Sequence, residues 1–187
     1  FSHINGSAIA LGNGQRRKPF VKHSSRLINV DILRNQLHDI GLLSLGQRGV
    51  IGVGGEAILV HGGEVVEVAY NHVNYSGGPG IHLVLGAEYS RGKVARPFLR
   101  GLIHHNKVIN TLLTSYDTGG ISAWTGGPVY IYNNISGNPV GYRPTSPYTD
   151  INLNTIQRSS YGIGIYLDGV YKGYVFNNIV WGLSNDL

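Results

Sequence analysis

Short runs of β-prone residues recur along the chain, each introduced by a small residue and an isoleucine. The clearest runs begin at Ile58, Ile81, Ile121 and Ile165, and a turn containing glycine follows each of them. Within the runs, aliphatic residues are placed so that alternate side chains would point to one buried face. This alternation is the two-residue period of a β-strand. The pattern therefore predicts many short strands and argues against a helical bundle.

A second run follows each of these and ends in asparagine, any residue, then valine or isoleucine. The isoleucine precedes this asparagine by 13, 25, 12 and 12 residues in the four copies, whose asparagines are Asn71, Asn106, Asn133 and Asn177. Three offsets agree within one residue, and an insertion accounts for the fourth. A weaker copy ends at Asn35. This spacing indicates one repeated structural unit.

The repeated asparagine indicates stacked parallel coils. Asparagine tolerates a left-handed corner, and amides at equivalent corners can stack into a ladder. Aliphatic side chains would stack on their counterparts one coil away, at about 4.8 Å. An antiparallel sandwich also has many short strands, but it would not keep the offset. We therefore expect an all-β solenoid, a parallel β-helix of about four to five coils over residues 26–187, with residues 1–25 as an N-terminal extension or partial coil.

Two stretches interrupt the repeat, near residues 87–100 and 137–160. Insertions in solenoids gather on one face, which is often the binding face. The first stretch carries Arg91, Lys93, Arg96 and Arg100, which suit carboxylate or sulfate groups. The second carries Tyr142 and Arg143 in an aromatic, proline-stiffened sequence suited to sugar rings.

The last unit runs to the end of the sequence without a recognisable cap. Each coil of a solenoid buries its face only against its neighbours. We therefore expect the end to be covered by further β-helix coils of a longer chain, by a second processed chain or by an oligomeric neighbour.

Composition narrows the possible partners and cofactors. The chain has 187 residues with 28 Gly, 13% charged residues and no Cys, so disulfides and thiolate metal sites are excluded. The net charge of +5 could attract nucleic acid or an acidic polysaccharide. Because aromatic and basic residues do not interleave, we expect no nucleic acid. No stretch has the length of a membrane span, so no membrane partner is expected either.

No metal or other cofactor is expected from the histidines. His104 and His105 are adjacent, and neighbouring residues of a strand face opposite sides of a sheet. We therefore expect at most one of the two to reach a groove, and no histidine pair in the sequence has metal-ligand spacing.

Aligning the first runs places candidate functional residues in columns. One column, three residues after the isoleucine, holds His61, Val84, Trp124 and Asp168; another, one residue after it, holds Leu59, His82, Ser122 and Tyr166. A column with His, Trp and Asp is expected to line one rim of a groove. The alternative is that Trp124 packs under a loop and that Asp168, which precedes glycine, is a turn residue.

Asp117 and Asp168 are the candidate catalytic carboxyls. Glycoside hydrolysis generally uses two carboxyl groups, about 5–5.5 Å apart in retaining enzymes and about 6.5–9.5 Å apart in inverting enzymes. Asp117 precedes its isoleucine by four residues, whereas Asp168 follows its own by three. Only a tight fold-back at residues 118–120 would bring the two together, and Asp117 is equally placed to be a turn residue.

The segments Gly164-Ile165-Tyr166-Leu167-Asp168 and Phe176-Asn177-Asn178-Ile179 resemble the right-handed β-helix proteins of the pectate-lyase-like superfamily. With Asp117 to Ile121 and Trp124, they are similar to bacterial β-helix glycosidase-like proteins. The resemblance implies a right-handed β-helix that binds or cleaves polysaccharide or oligosaccharide, in a secreted or periplasmic location.

Three functions stay open at this point. The first is a glycoside hydrolase using Asp168 and Asp117, with Trp124, Tyr166, His82, His61, Tyr142 and Arg143 binding the substrate. The second is a uronate lyase, which needs a base and a group that neutralises the carboxylate. The third is a glycan-binding or structural β-helix segment without catalysis. The aspartate motifs favour the hydrolase.

Overall fold

The computed structural model describes residues 1–12, 27–42, 55–85, 99–115, 118–141 and 162–182. The regular structure of this described part is entirely β-strand, with none of its residues in a helix. The strands are β1 (Ser2–Ile4), β2 (Ile9–Gly12), β3 (Asn29–Leu33), β4 (Gln36–Ile40), β5 (Ile58–His61), β6 (Val65–Ala69), β7 (His72–Ser76), β8 (Ile81–Leu85), β9 (Arg100–His104), β10 (Lys107–Thr111), β11 (Gly119–Gly126), β12 (Val129–Tyr132), β13 (Ile135–Pro139), β14 (Ile163–Val170), β15 (Gly173–Phe176) and β16 (Ile179–Trp181). Within these ranges, nothing forms an apolar helix long enough to span a bilayer.

The strands form three sheets, and within each sheet every pair of neighbouring strands is parallel. Sheet A has the order β1-β4-β7-β10-β13-β16, sheet B has β14-β11-β8-β5-β2, and sheet C has β15-β12-β9-β6-β3. Each sheet takes every third strand, so the chain visits the three sheets in turn; we call one such passage a circuit. The prediction of an all-β chain with parallel sheets is confirmed, and the arrangement is consistent with a parallel β-helix.

The isoleucines of the repeat form the centre of the core. Ile58, Ile81 and Ile121 pair in register across sheet B, and each is fully buried. Ile9 and Ile165 continue this column and pack against it while partly exposed. Burial of such a side chain contributes about 1.5–3 kcal/mol to folding, so repeated columns provide the main stabilising term.

A two-residue corner joins each strand of sheet C to the next strand of sheet A. Its first residue has a left-handed backbone, with φ between 54° and 59°, and these residues are Arg34, Tyr70, His105, Asn133 and Asn177. Its second residue is asparagine at Asn35, Asn71, Asn106, Asn134 and Asn178. The predicted asparagine ladder therefore exists, but the left-handed residue and the ladder asparagine are neighbours rather than the same residue.

The ladder corrects the sequence alignment by one residue in two copies. Asn134 and Asn178 occupy the ladder, whereas Asn133 and Asn177 are the preceding corner residues. With this register the isoleucine precedes the ladder asparagine by 13 residues in three copies, from 58 to 71, from 121 to 134 and from 165 to 178.

Hydrogen bonds satisfy the buried amides completely along the ladder. The Nδ2 atom of Asn106 donates to Asn134 Oδ1 at 3.0 Å and to the carbonyl of Val68 at 2.9 Å. Its Oδ1 atom accepts from both the backbone N–H and the Nδ2 of Asn71, at 2.9 and 3.0 Å. Because this amide uses all four of its hydrogen-bonding positions, it can be buried without an uncompensated desolvation cost.

The boundaries of the predicted extension and insertions fall partly on described residues. Strands β1 and β2 pair with β4 and β5, while residues 13–25 lie outside the described part. Arg100 begins β9, and residues 137–139 end β13. The remainder of the stretch near 87–100, apart from Leu99, and residues 142–160 also lie outside the described residues.

We expect Asn106→Ala to lower the free energy of unfolding by about 2–4 kcal/mol, because it removes the acceptor of the buried backbone N–H of Asn71 and of one of its side-chain N–H groups. Asn74→Ala is the matched control, since Asn74 accepts one bond from Asn110 in a partly exposed position. It should cost less than about 1 kcal/mol. Urea unfolding of both variants measures the difference, and equal losses would contradict the role assigned to the ladder.

Candidate functional site

The predicted columns lie in register on the outer face of sheet B. His61 pairs with Val84, Val84 with Trp124, and Trp124 with Asp168. The column two residues earlier runs from Leu59 through His82 and Ser122 to Tyr166 in the same way. Trp124, Tyr166 and Asp168 therefore lie on two adjacent strands, β11 and β14, with side chains on the same face.

Exposure along this face increases toward β14. His82 is 4% exposed and Val84 is 5% exposed on β8, whereas Trp124 is half-buried on β11. Asp168 is exposed on β14, which is the edge strand of sheet B. The Asp168 carboxyl is thus open to a soluble ligand, and the partly covered ring of Trp124 lies one strand away.

An irregularity in β11 lies directly beside Trp124. Thr125 and Gly126 both have left-handed φ values, 54° and 81°, and the register with β8 shifts between Trp124 and Gly126. A Cβ atom at Gly126 would lie 2.6 Å from the carbonyl oxygen of Leu85, so glycine is required there. Such irregularities re-aim the neighbouring side chain and are common beside binding sites.

His82 belongs to a buried polar cluster and not to the exposed part of the face. Its Nδ1 atom lies 3.9 Å from Oε1 of Glu56, which is 1% exposed, and Ser7 donates to the other carboxylate oxygen at 3.2 Å. Next to it, Thr118 donates to the buried hydroxyl of Ser122 at 3.1 Å. Sequence reasoning missed Glu56, because it lies two residues before the isoleucine that anchored the alignment.

Five of the eight predicted site residues lie within the described part of the chain. His61, His82, Trp124, Tyr166 and Asp168 all lie on the outer face of sheet B. Asp117, Tyr142 and Arg143 lie outside the described residues. Of the other described acidic residues, none lies on β11 or β14.

A second surface, which the sequence analysis did not single out, covers the outer face of sheet C with stacked rings. His104, Tyr132 and Phe176 stack in succession, with centroids 4.8 and 5.2 Å apart and planes within 14°. Tyr130 stacks on Tyr174 at 4.7 Å and 9°. His104 is buried in this stack, whereas Tyr174 and Phe176, on the edge strand β15, are exposed. The spacing of Tyr130 and Tyr132, two residues apart on a strand, was the available signal.

An apolar cavity of about 510 Å³ opens at the edge strands of the three sheets. Its lining includes Ile163, Ile165, Val175, Phe176 and Val180. Val175 aligns with Ile131, and Val180 with Ser136, both fully buried one circuit earlier. The cavity therefore has the side-chain chemistry of the core, exposed at the edge of the described stack.

No protein-family model, curated protein or solved structure matches this chain.

One titratable group on the neighbouring sheet A has a displaced pKa. Partial desolvation lowers the pKa of His72 from its ordinary value of 6.5, although the residue is largely exposed, and the charge of Lys107, its partner in register on β10, lowers it further. Between the lowered pKa and 6.5 the unfolded chain binds the extra proton, so this histidine makes stability rise with pH across that window.

We expect Lys107→Gln to move the His72 pKa upward but still below 6.5, because desolvation remains. NMR titration of the imidazole measures it directly. A His72 pKa at or above 6.5 in the unmodified chain would contradict the assigned environment.

Proposed function

We propose that this chain is a segment of a right-handed parallel β-helix that acts on polysaccharides outside the cytoplasm, as a secreted or periplasmic glycoside hydrolase. Asp168 serves as one catalytic carboxyl, and Trp124 and Tyr166 bind the sugar. The observation that carries the proposal is the position of the exposed Asp168 carboxyl in register with the half-buried Trp124 on the adjacent strand.

This arrangement suits a glycosidic bond for a geometric reason. Adjacent strands are about 4.8 Å apart, so a sugar ring that contacts Trp124 lies within reach of the Asp168 carboxyl. An indole ring offers apolar area to the C–H groups of a sugar and one N–H donor to its hydroxyls. The carboxyl supplies the acid, base or nucleophile that hydrolysis of the bond requires.

Asp117 is the proposed second carboxyl. It precedes β11, the strand that carries Trp124, by two residues. A separation from Asp168 of about 5–5.5 Å would favour a retaining reaction, and one of about 6.5–9.5 Å an inverting reaction. Tyr142 and Arg143 are proposed to extend the subsite.

The position of Lys172 supports a uronate lyase as the second candidate. Lys172 is exposed, follows Asp168 by four residues and lies beside Gly127, just after the irregular part of β11. It could remove the C5 proton of a uronate, with Arg143 neutralising the carboxylate.

The open apolar cavity supports a third candidate, a glycan-binding or structural segment of a larger assembly. Core-type side chains exposed at β14, β15 and β16 are suited to stacking against another circuit. The covering unit would be further coils of a longer chain, a second processed chain or an oligomeric neighbour.

Asp168→Asn tests the hydrolase. We expect at least a roughly 100-fold loss of kcat against the active member of a panel of aryl glycosides and uronate polymers, because general acid–base catalysis contributes about 10²–10⁴-fold. Asp31→Asn is the control, since Asp31 is exposed on sheet C. Unchanged turnover in Asp168→Asn would remove its catalytic role, and ultraviolet absorbance from an unsaturated uronate product would establish the lyase instead.

Trp124→Ala tests the binding face independently of catalysis. We expect glycan affinity to fall roughly five-fold, since an aromatic stacking contact contributes about 1 kcal/mol. Tyr174→Ala, which alters the ring surface of sheet C, should leave the affinity unchanged. Calorimetry with the glycan that Asp168→Asn still binds measures both, and the opposite ranking would place the binding surface on sheet C.

A further inference from the structure

The adjacent histidines do not face opposite sides, contrary to the expectation from strand alternation. Strand β9 ends at His104, and His105 is the left-handed corner residue, with φ of 54°. The corner turns both imidazoles toward each other on the outer surface. Their Nδ1 atoms lie 2.9 Å apart, and the ring planes meet at 87°.

Each imidazole is held by its other nitrogen. His104 Nε2 lies 3.0 Å from the carboxylate of Glu67, and His105 Nε2 lies 3.2 Å from the side-chain amide of Asn133. A histidine that ligates a metal characteristically donates its outer N–H to a carboxylate or another fixed acceptor. The Glu67–His104 pair already has this form.

Ring stacking fixes the orientation of both imidazoles. His104 stacks on Tyr132 with centroids 4.8 Å apart, and His105 stacks on Tyr70 at 5.0 Å. The fold therefore already restricts the conformations of the two imidazoles, so metal binding loses little side-chain entropy. His104 is 7% exposed, while His105 is exposed and leaves one side of the pair open to solvent.

We propose that His104 and His105 bind a divalent transition-metal ion of the copper, nickel and zinc group through their two Nδ1 atoms, with Glu67 orienting His104. Two imidazoles suit these ions, and copper should bind most tightly. Metal–nitrogen bonds of about 2.0–2.1 Å at a tetrahedral angle place the nitrogens roughly 3.3 Å apart. The present 2.9 Å contact therefore has to widen by a few tenths of an ångström, and the imidazoles have to turn so that both Nδ1 lone pairs point at the ion, which lies beside the line between the nitrogens.

Metal binding replaces the proton that the two Nδ1 atoms share and makes both Nε2 atoms donors. His104 then continues to donate to Glu67. Asn133 has to turn its carbonyl oxygen toward His105, and Asn177, which donates to Asn133 Oδ1 at 3.0 Å, has to turn with it. Asn177 is exposed and Asn133 half-buried, so two amide flips complete the change without leaving a buried group unpaired.

The protein supplies two ligands to this ion, and water completes the coordination. Consistent with this, the described residues hold no group of three or more His, Cys, Asp or Glu side chains placed around a metal position. A two-ligand site is accessible to exogenous ligands and weaker than a closed structural site.

The repeat itself provides variants that preserve the fold. His105→Asn retains a residue that tolerates the left-handed corner, as Asn133 and Asn177 do in later circuits. His104→Tyr retains the stacked ring, as Tyr132 does one circuit later. His38→Ala is the control for a separate cluster in which His38 and His3 contact Asp39, and His72→Ala controls for an exposed histidine nearby.

Metal-free chain is titrated with copper, nickel and zinc salts, and copper coordination is followed by electron paramagnetic resonance. In a His3→Ala background, which removes the separate copper and nickel site of the N-terminal amine and His3, we expect one site with two imidazole nitrogens, tightest for copper. His105→Asn and His104→Tyr should each abolish the two-nitrogen signal, and Glu67→Gln should weaken binding roughly tenfold. His38→Ala and His72→Ala should leave the signal intact. Absence of the two-nitrogen signal in the unmodified chain, or its persistence in His105→Asn, would overturn the proposal.

Discussion

The structure depends on the burial of one asparagine amide at each corner between sheets C and A. A short two-residue corner leaves backbone N–H and C=O groups that the strands cannot pair. The amide fills this gap because it offers two donors and two acceptor positions on a side chain short enough to reach both neighbouring circuits. Asn71 shows the pattern, bonding to Asn35 and Ile32 on one side and to Asn106 on the other. The aliphatic columns stabilise the stack, and the ladder sets its register.

Much of this fold was predictable because the repeat is anchored by residues with one physical role. The isoleucine columns follow from their spacing, and with them the register that aligns Trp124 with Asp168. The alignment was wrong by one residue at Asn133 and Asn177, because an Asn-Asn pair offers two candidates for the corner and sequence does not distinguish them. Hydrogen-bond geometry does so. The amides of Asn134 and Asn178 donate to the carbonyls of Ile103 and Ile131 in the preceding circuit, whereas those of Asn133 and Asn177 bond to side chains at the surface.

The sites were less predictable because they depend on departures from regular strand geometry. Alternation assigned His104 and His105 to opposite sides, and a single left-handed residue reverses that result. The contact between Glu56 and His82 was not predictable for a different reason. It joins a residue just before β5 to one on β8, 26 positions apart in sequence (56 to 82). Asp168 was identifiable because it lies within the regular part of a strand, where the column position follows directly from the repeat.

The ladder also has a direction. From Asn35 to Asn134, each side-chain Nδ2 donates one N–H to the Oδ1 atom of the ladder asparagine in the following circuit, so the Oδ1 atoms from Asn71 to Asn178 all accept from the preceding circuit. The amide dipoles therefore add along the stack axis as peptide dipoles add along a helix. The negative ends of these dipoles point toward Asn35 and the positive ends toward Asn178. Two copies of this described stack joined through identical ends would oppose like poles, so the ladder favours only one polarity for anything that extends it.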